Sequence, residues 1–149
     1  LEKGVEVGKR VAVIGSGATG IETAATLATR GHEVTVIEML PKIGTGILDR
    51  ILGVLVARLN KMGVKLMPGH KLTAITDTGI TVQKMDDGSS LDMEFDSVLL
   101  ALGIAPQTQY AEEFAANFEN AYIIGDTVKS ATALEAIKVG NDYAWVFEG

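Results

Sequence analysis

The chain contains no cysteine. That absence removes a disulfide framework, a redox-active dithiol, a thiolate-bound metal and a cysteine nucleophile. Clustered positive charge is missing too: 13 Lys and Arg stand against 19 Asp and Glu, for a net charge of −6. Recognition of nucleic acid or of an anionic membrane surface needs cations gathered opposite phosphates, so neither partner is expected. No apolar run approaches the ~20 residues that span a bilayer. The opening LEKGVEVGKR lacks the apolar h-region of a signal peptide, so a cytoplasmic protein is the expectation. Histidines are few: His32 follows a helix-ending glycine, His70 falls in a loop, and neither has a partner at ligand spacing, so no metal site is expected.

What is present is an ordinary globular composition. The 149 residues are 47% hydrophobic and 21% charged, enough for one sizeable core. Residues 1–9 read as a linker broken by Gly4 and Gly8. Arg10–Ile14 is a β-branched apolar run of the kind buried on both faces of a parallel sheet. Thr19–Arg30 carries Ile21, Ala24, Ala25, Leu27 and Ala28 at helical spacing, with Gly31 as its C-cap. A strand follows at Glu33–Glu38, a loop at Pro41–Gly46, an apolar helix over 47–62 closed by Gly63, and a short strand at Val64–Met67. This alternation predicts an α/β fold, a Rossmann-like parallel sheet with helices on both faces.

After Pro68 the pattern changes. Lys71–Thr76, Ile80–Met85 and Leu91–Phe95 read as a three-stranded antiparallel meander joined by Asp77-Thr78-Gly79 and Asp86-Asp87-Gly88. Ser97–Leu102 returns to the buried-strand type. A helix is expected over 107–118, an apolar strand at Ala121–Ile124 and a final helix over 131–147, with Trp145 and Phe147 either in the core or on surface that faces a parent enzyme.

Gly15, Gly17 and Gly20 form G-x-G-x-x-G between the first strand and the first helix. The first glycine permits a tight turn, the second lets a pyrophosphate come close to the backbone, and the third lets the helix pack tightly. The helix N-terminus then offers N–H groups and partial positive charge to the phosphates, so Ser16, Ala18 and Thr19 are counted with the glycines as cofactor-binding. A plain glycine-rich turn is the alternative. The next strand closes on an acid, Glu38, placed to accept hydrogen bonds from an adenosine ribose; a solvated strand-end acid is its bland counterpart. A 2′-phosphate beside that carboxylate would cost ~4 kcal/mol at ~4 Å and an effective dielectric of about 20. No Arg follows to compensate, so NAD(H) is expected over NADP(H). Met39 and Lys42 fall beside the adenine end, although a solvated loop lysine is the commoner fate of such a residue.

These residues, with the stretch GKRVAVIGSGATGIETAATLATRGHEVTVIEMLPKI, the segments LNKMGVKLM, VLLALGIAP and AYIIGDT, and the meander, resemble the pyridine nucleotide-disulfide oxidoreductase superfamily. More narrowly they are similar to the C-terminal region of NADH:flavin oxidoreductases of the 2-enoate reductase and 2,4-dienoyl-CoA reductase type. The resemblance covers nearly the whole chain. It implies an NAD-binding domain inserted in a split FAD-binding domain. By that match Gly15, Gly17 and Gly20 are the NAD fingerprint and Glu38 its ribose acid. Glu22 matches an acid near the nicotinamide; a first-turn acid complementing the helix dipole is the competing reading. Ala101, Leu102 and Gly103, with Pro106, match the exit from the NAD domain past the cofactor. Gly125 and Asp126 match the second FAD motif, and a turn residue capping the next helix is the other reading of Asp126.

The resemblance also implies parts that this sequence does not contain: an earlier FAD fingerprint and, for the 2-enoate reductase type, a flavin-bearing barrel with FMN and a cysteine-bound iron–sulfur cluster. An excised fragment is therefore expected, with residues 10–105 as the NAD-binding domain and 106–149 as a tail returning to the FAD domain. Its partner would be the rest of the parent flavoenzyme, with a homodimer through surface bared by excision as a second expectation. Alone it would bind NADH without turning it over. The apolar stretch 121–124 is expected to pair in parallel beside 97–102 through a right-handed crossover, giving five strands in the order 3-2-1-4-5. Two rivals stand beside the enoate reductase reading. One is a disulfide or oxygen/peroxide flavin reductase, which needs a redox cysteine elsewhere. The other is a regulatory NAD-sensing module, as in potassium-transport regulators, which needs neither the meander nor the Gly125-Asp126 tail.

Overall fold

A computed structural model describes residues 5–118 and 120–146. The chain divides after Gly103 into two units. The first contains a parallel sheet of β1 (Arg10–Ile14), β2 (Glu33–Ile37), β3 (Lys65–Met67) and β7 (Ser97–Leu100), in the order β3-β2-β1-β7. Between β1 and β2 lies α1 (Ala18–Thr29), and between β2 and β3 lies α2 (Asp49–Lys61). The meander is β4 (His70–Thr76), β5 (Gly79–Lys84) and β6 (Ser90–Glu94). His70 thus opens a strand rather than lying in a loop. The α/β class and the separate antiparallel sheet agree with the sequence expectation.

Alternation along each strand divides the core in two. Val11 and Val13 of β1, with Val34 and Val36 of β2, pack against Ile21, Ala24 and Leu27 of α1 and Leu59 of α2. Their neighbours Ala12, Ile14 and Ile37 point the other way and meet Ile80, Val82 and Phe95 of the meander segment. Successive strand residues face opposite sides of a sheet, so a strand buried on both faces needs two covering layers. Here helices cover one face and the meander covers the other, where helices on both faces were expected. Within the meander the seal is made by the central strand: Ile80 and Val82 are buried, whereas their cross-strand partners Ile75 and Leu91, on the outer strands, are exposed.

At the edge where the two sheets meet, Arg10 at the start of β1 pairs through Nη2 with Asp96 Oδ1 at 2.8 Å and through Nη1 with Glu94 Oε2 at 3.0 Å. The Arg10 N–H also donates to Asp96 Oδ2 at 2.8 Å. These bonds raise the guanidinium's pKa and hold the Asp96 carboxyl below the usual carboxylate range.

The second unit has α3 (Thr108–Ala115), a 3-10 turn at Gly125–Thr127 and α4 (Ala133–Ala144). A capping box starts α4: the Glu135 N–H donates to Thr132 Oγ1, and Thr132 N–H returns to Glu135 Oε2 at 2.9 Å. The expected fifth strand is absent: Ala121–Ile124 joins neither sheet, and the parallel sheet has four strands among the described residues. An apolar run of four residues suits a buried strand or a segment packed on a helix equally well. The second arrangement holds, with the Tyr122 ring 5.2 Å from that of Tyr143 on α4. Trp145 is 84% exposed rather than in a core, and Phe147 lies outside the described residues.

Candidate functional site

The site forms at the carboxyl ends of β1, β2 and β7. From β1 the chain runs one way to β2 through α1, while β7 lies on the other side of β1. That is a topological switch point, the place where open α/β sheets leave a crevice for ligands. The residues placed there are Gly15 to Gly20 after β1, Glu38 after β2 and Ala101 after β7.

Each glycine of the loop has its own surroundings. Gly15 has φ +103°, a left-handed conformation that L side chains rarely adopt. A Cβ on it would also lie 2.9 Å from the Ala101 carbonyl carbon. Its N–H donates to the Ile37 carbonyl at 2.8 Å, and the Ala101 N–H donates to the Ile14 carbonyl at 2.7 Å, so the loop is tied to both neighbouring strands. Gly20, in the first turn of α1, approaches Gly15 so closely that a Cβ would lie 2.9 Å from the Gly15 carbonyl carbon. Gly17 is different: a Cβ there would meet nothing within 4 Å. It caps α1 with no side-chain hydrogen bond, and no acid stands in the first turn. The first N–H groups of a helix lack intrahelical partners, and here they border open space that a side chain at residue 17 would fill. A pyrophosphate fits that cradle in charge and in donor supply.

Glu38 closes the other side. Its Oε2 accepts from the Ser16 N–H at 2.9 Å and from Ser16 Oγ at 2.7 Å, and its Oε1 accepts from the Leu40 N–H at 2.9 Å. Partial burial pushes the carboxyl upward. Hydrogen bonds from Leu40, from the Ser16 side chain and backbone, and from the Met39 backbone outweigh it, so the pKa is lowered. Glu38 is thus an ionised acceptor held in one orientation beside the glycine loop. Ser16 is fully buried and receives the Gly44 N–H on its hydroxyl at 3.0 Å. This part in the network was not foreseen from sequence; its signal was a hydroxyl residue between two fingerprint glycines.

Met39 and Lys42 are exposed in the loop after Glu38. Ala101 touches the fingerprint, Leu102 is 69% exposed, and Gly103 has φ +84°. Glu22 is the fifth residue of α1 and so lies beyond the first turn, which removes the helix-dipole reading. It borders an open groove between α1 and α2 with Arg30 and Arg58. Gly125 and Asp126 sit in the second unit. Asp126 does not cap α4, whose cap is Thr132; its Oδ1 instead accepts from the Ala131 N–H at 3.4 Å. Among the described residues no three Asp, Glu or His side chains gather as metal ligands, and no helix is long and apolar enough to cross a membrane.

Comparison with known proteins adds an independent result. The family model described as pyridine nucleotide-disulphide oxidoreductase matches residues 2–138. A dihydrolipoyl dehydrogenase of Corynebacterium glutamicum is 32% identical over 105 residues, covering 68% of this chain and 22% of that protein. An NADH oxidase of Methanocaldococcus jannaschii is 31% identical over 137 residues, covering 81% of this chain and 30% of that protein. Among solved structures, a 2-naphthoyl-CoA reductase in complex with 2-naphthoyl-CoA superposes with a TM-score of 0.79 at 26% identity, over 99% of this chain and 22% of that one. The chain thus spans less than a third of the length of each.

Proposed function

The chain belongs to the pyridine nucleotide-disulphide oxidoreductase family, and on that premise we propose that it is the NAD(H)-binding part of an FAD-dependent oxidoreductase of the enoate reductase kind. The observation that carries this reading is the pairing of an open cradle at Gly17 with a fixed, ionised Glu38 across the same crevice. The N–H groups of the first turn of α1 would bind the pyrophosphate, Glu38 would accept from the adenosine ribose, and Met39 and Lys42 would border the adenine. Ala101, Leu102 and Gly103 would line the path toward the nicotinamide, with Glu22 on that side. When bound, NADH supplies a hydride, and the flavin that takes it would be held by protein outside residues 10–105, with Gly125 and Asp126 contributing to its ribityl contact.

The enoate reductase kind is supported by the likeness in fold to 2-naphthoyl-CoA reductase, over 99% of the chain. It would bring FMN and an iron–sulfur cluster in the parent protein, whose remainder would be the partner of this chain in the cytoplasm. The similarity to dihydrolipoyl dehydrogenase and NADH oxidase supports the second reading, a disulfide or oxygen/peroxide flavin reductase. That chemistry would place its redox cysteine outside these residues, which contain none. Calorimetric titration of the intact protein with NADH and NADPH, together with the absorption spectrum of the purified protein, tests the proposal. Tighter binding of NADH and a bound flavin support it. Equal affinity for the two nicotinamides defeats the NAD assignment, and a flavin-free protein defeats the oxidoreductase assignment in favour of a regulatory module.

A further inference from the structure

We propose that Ser16 is a positioning residue: it holds Glu38 in the orientation that discriminates against a 2′-phosphate, and ties the loop at Gly44 to the same unit. The inference rests on the NAD(H)-binding reading. It begins from a buried hydroxyl. Ser16 is 0% exposed, so its Oγ cannot serve as a surface ligand for a pyrophosphate. Its single proton goes to Glu38 Oε2 at 2.7 Å, and its oxygen accepts from the Gly44 N–H at 3.0 Å. A hydroxyl has one donor and two acceptor positions, so Ser16 spends its donor on the carboxylate. The Ser16 backbone N–H adds a second bond to the same Oε2, at 2.9 Å.

The consequence concerns which carboxylate oxygen is offered. Oε2 carries both Ser16 donors, whereas Oε1 carries the Leu40 N–H. With Oε2 engaged, Oε1 is the oxygen with acceptor capacity left for a ribose hydroxyl. A glutamate free on a surface samples many rotamers and loses that freedom on binding; one already fixed does not. Fixation also keeps the charge where a 2′-phosphate would have to sit, so a buried hydroxyl that would itself touch neither phosphate nor ribose acts on cofactor choice through Glu38. The loop after β2 is bound to this unit through Gly44, whose φ of +73° and buried position leave its N–H aimed at Ser16.

The test is a double-mutant cycle on the intact protein, with NADH and NADPH affinities measured by calorimetry for wild type, S16A, E38Q and S16A/E38Q. Losing the Oγ bond to an ionised partner should weaken NADH roughly tenfold while NADPH changes little. The preference for NADH then falls roughly tenfold, and adding S16A to E38Q leaves the preference unchanged. Equal weakening of both cofactors, or the same fall in the E38Q background, overturns the inference while the NAD(H) reading stands. Wild-type protein that binds neither cofactor overturns the reading itself and the inference with it. Should S16A fail to fold, Ser16→Cys keeps the volume with a weak donor; it must show the same fall in preference, and an unchanged preference overturns the proposal. Faster exchange of the Gly44 amide in either variant, with the Gly15 amide unaltered, is the expected companion result; equal protection of Gly44 overturns the loop's part.

Discussion

Gly20 stands against the carbonyl of Gly15 with no room for a methyl group, since a Cβ on Gly20 would lie 2.9 Å from the Gly15 carbonyl carbon. Three residues before Gly20, Gly17 has nothing within 4 Å of the same imagined atom. Two glycines of one motif therefore answer to different constraints: one serves packing within the protein, the other clears space outside it.

The two are separable by substitution. Gly20→Ala forces backbone apart and should destabilise the protein by ~1–3 kcal/mol. Gly17→Ala keeps a φ of −63° that alanine accepts and should change stability by less than ~1 kcal/mol. Its NADH affinity should nevertheless fall by about tenfold or more, because the methyl occupies the pyrophosphate's place. Thermal melts and calorimetric titration of the two variants side by side check this. A destabilised Gly17→Ala with normal affinity would refute the assignment of the cradle.

Glu38→Gln removes the charge and keeps the shape. The repulsion against a 2′-phosphate disappears, so NADPH should bind about ten- to a hundredfold tighter relative to NADH than in wild type. Competition between the two cofactors measures the ratio directly. No change would mean that Glu38 does not face the ribose.

The same carboxyl predicts a pH dependence. Its folded pKa is lowered from the ordinary 4.5. A depressed acid contributes stability that is present above the unfolded pKa and is lost as pH falls through the folded one. Wild type should therefore lose stability below about pH 4.5 with a component that Glu38→Gln lacks. Urea titrations of both proteins between pH 3 and 7 would show curves that converge in acid. Parallel curves would remove Glu38 from the linkage.

Coverage of the sheet by the meander carries its own test. Ile80 is 1% exposed and packs with Ala12, Ile14 and Ile37, whereas Ile75 of the neighbouring strand is 54% exposed. Ile80→Ala should cost ~2–5 kcal/mol by transfer and cavity terms. Ile75→Ala should stay within ~0.5 kcal/mol. Similar losses at both positions would deny that the meander seals the second face.

Much of this was legible in the sequence because the signals were local. A β-branched run, three spaced glycines and helical periodicity lie within twenty residues of one another, and each is read without knowing its neighbours in space. Glu38 was found by its place after the next strand. The fifth strand failed at the same level: Ala121–Ile124 offered four apolar residues with no periodicity, and nothing local distinguished a ladder from packing against α4. Glu22 was similarly ambiguous, since one residue's shift in the helix start decides whether it belongs to the first turn.

The sequence by itself determined the strand–glycine loop–helix unit, its acid partner and the division into parallel and antiparallel strands. These follow from residue spacing and from the backbone freedom of glycine, both properties of short stretches of chain. Only the tertiary structure decided that the meander, not a helix, covers the second face of the sheet. It alone showed that Ser16 spends its hydroxyl on Glu38, 22 residues away. The periodicity of a strand says that two faces are buried but not by what, and a hydrogen bond between separate segments exists only once the sheet register brings their ends together.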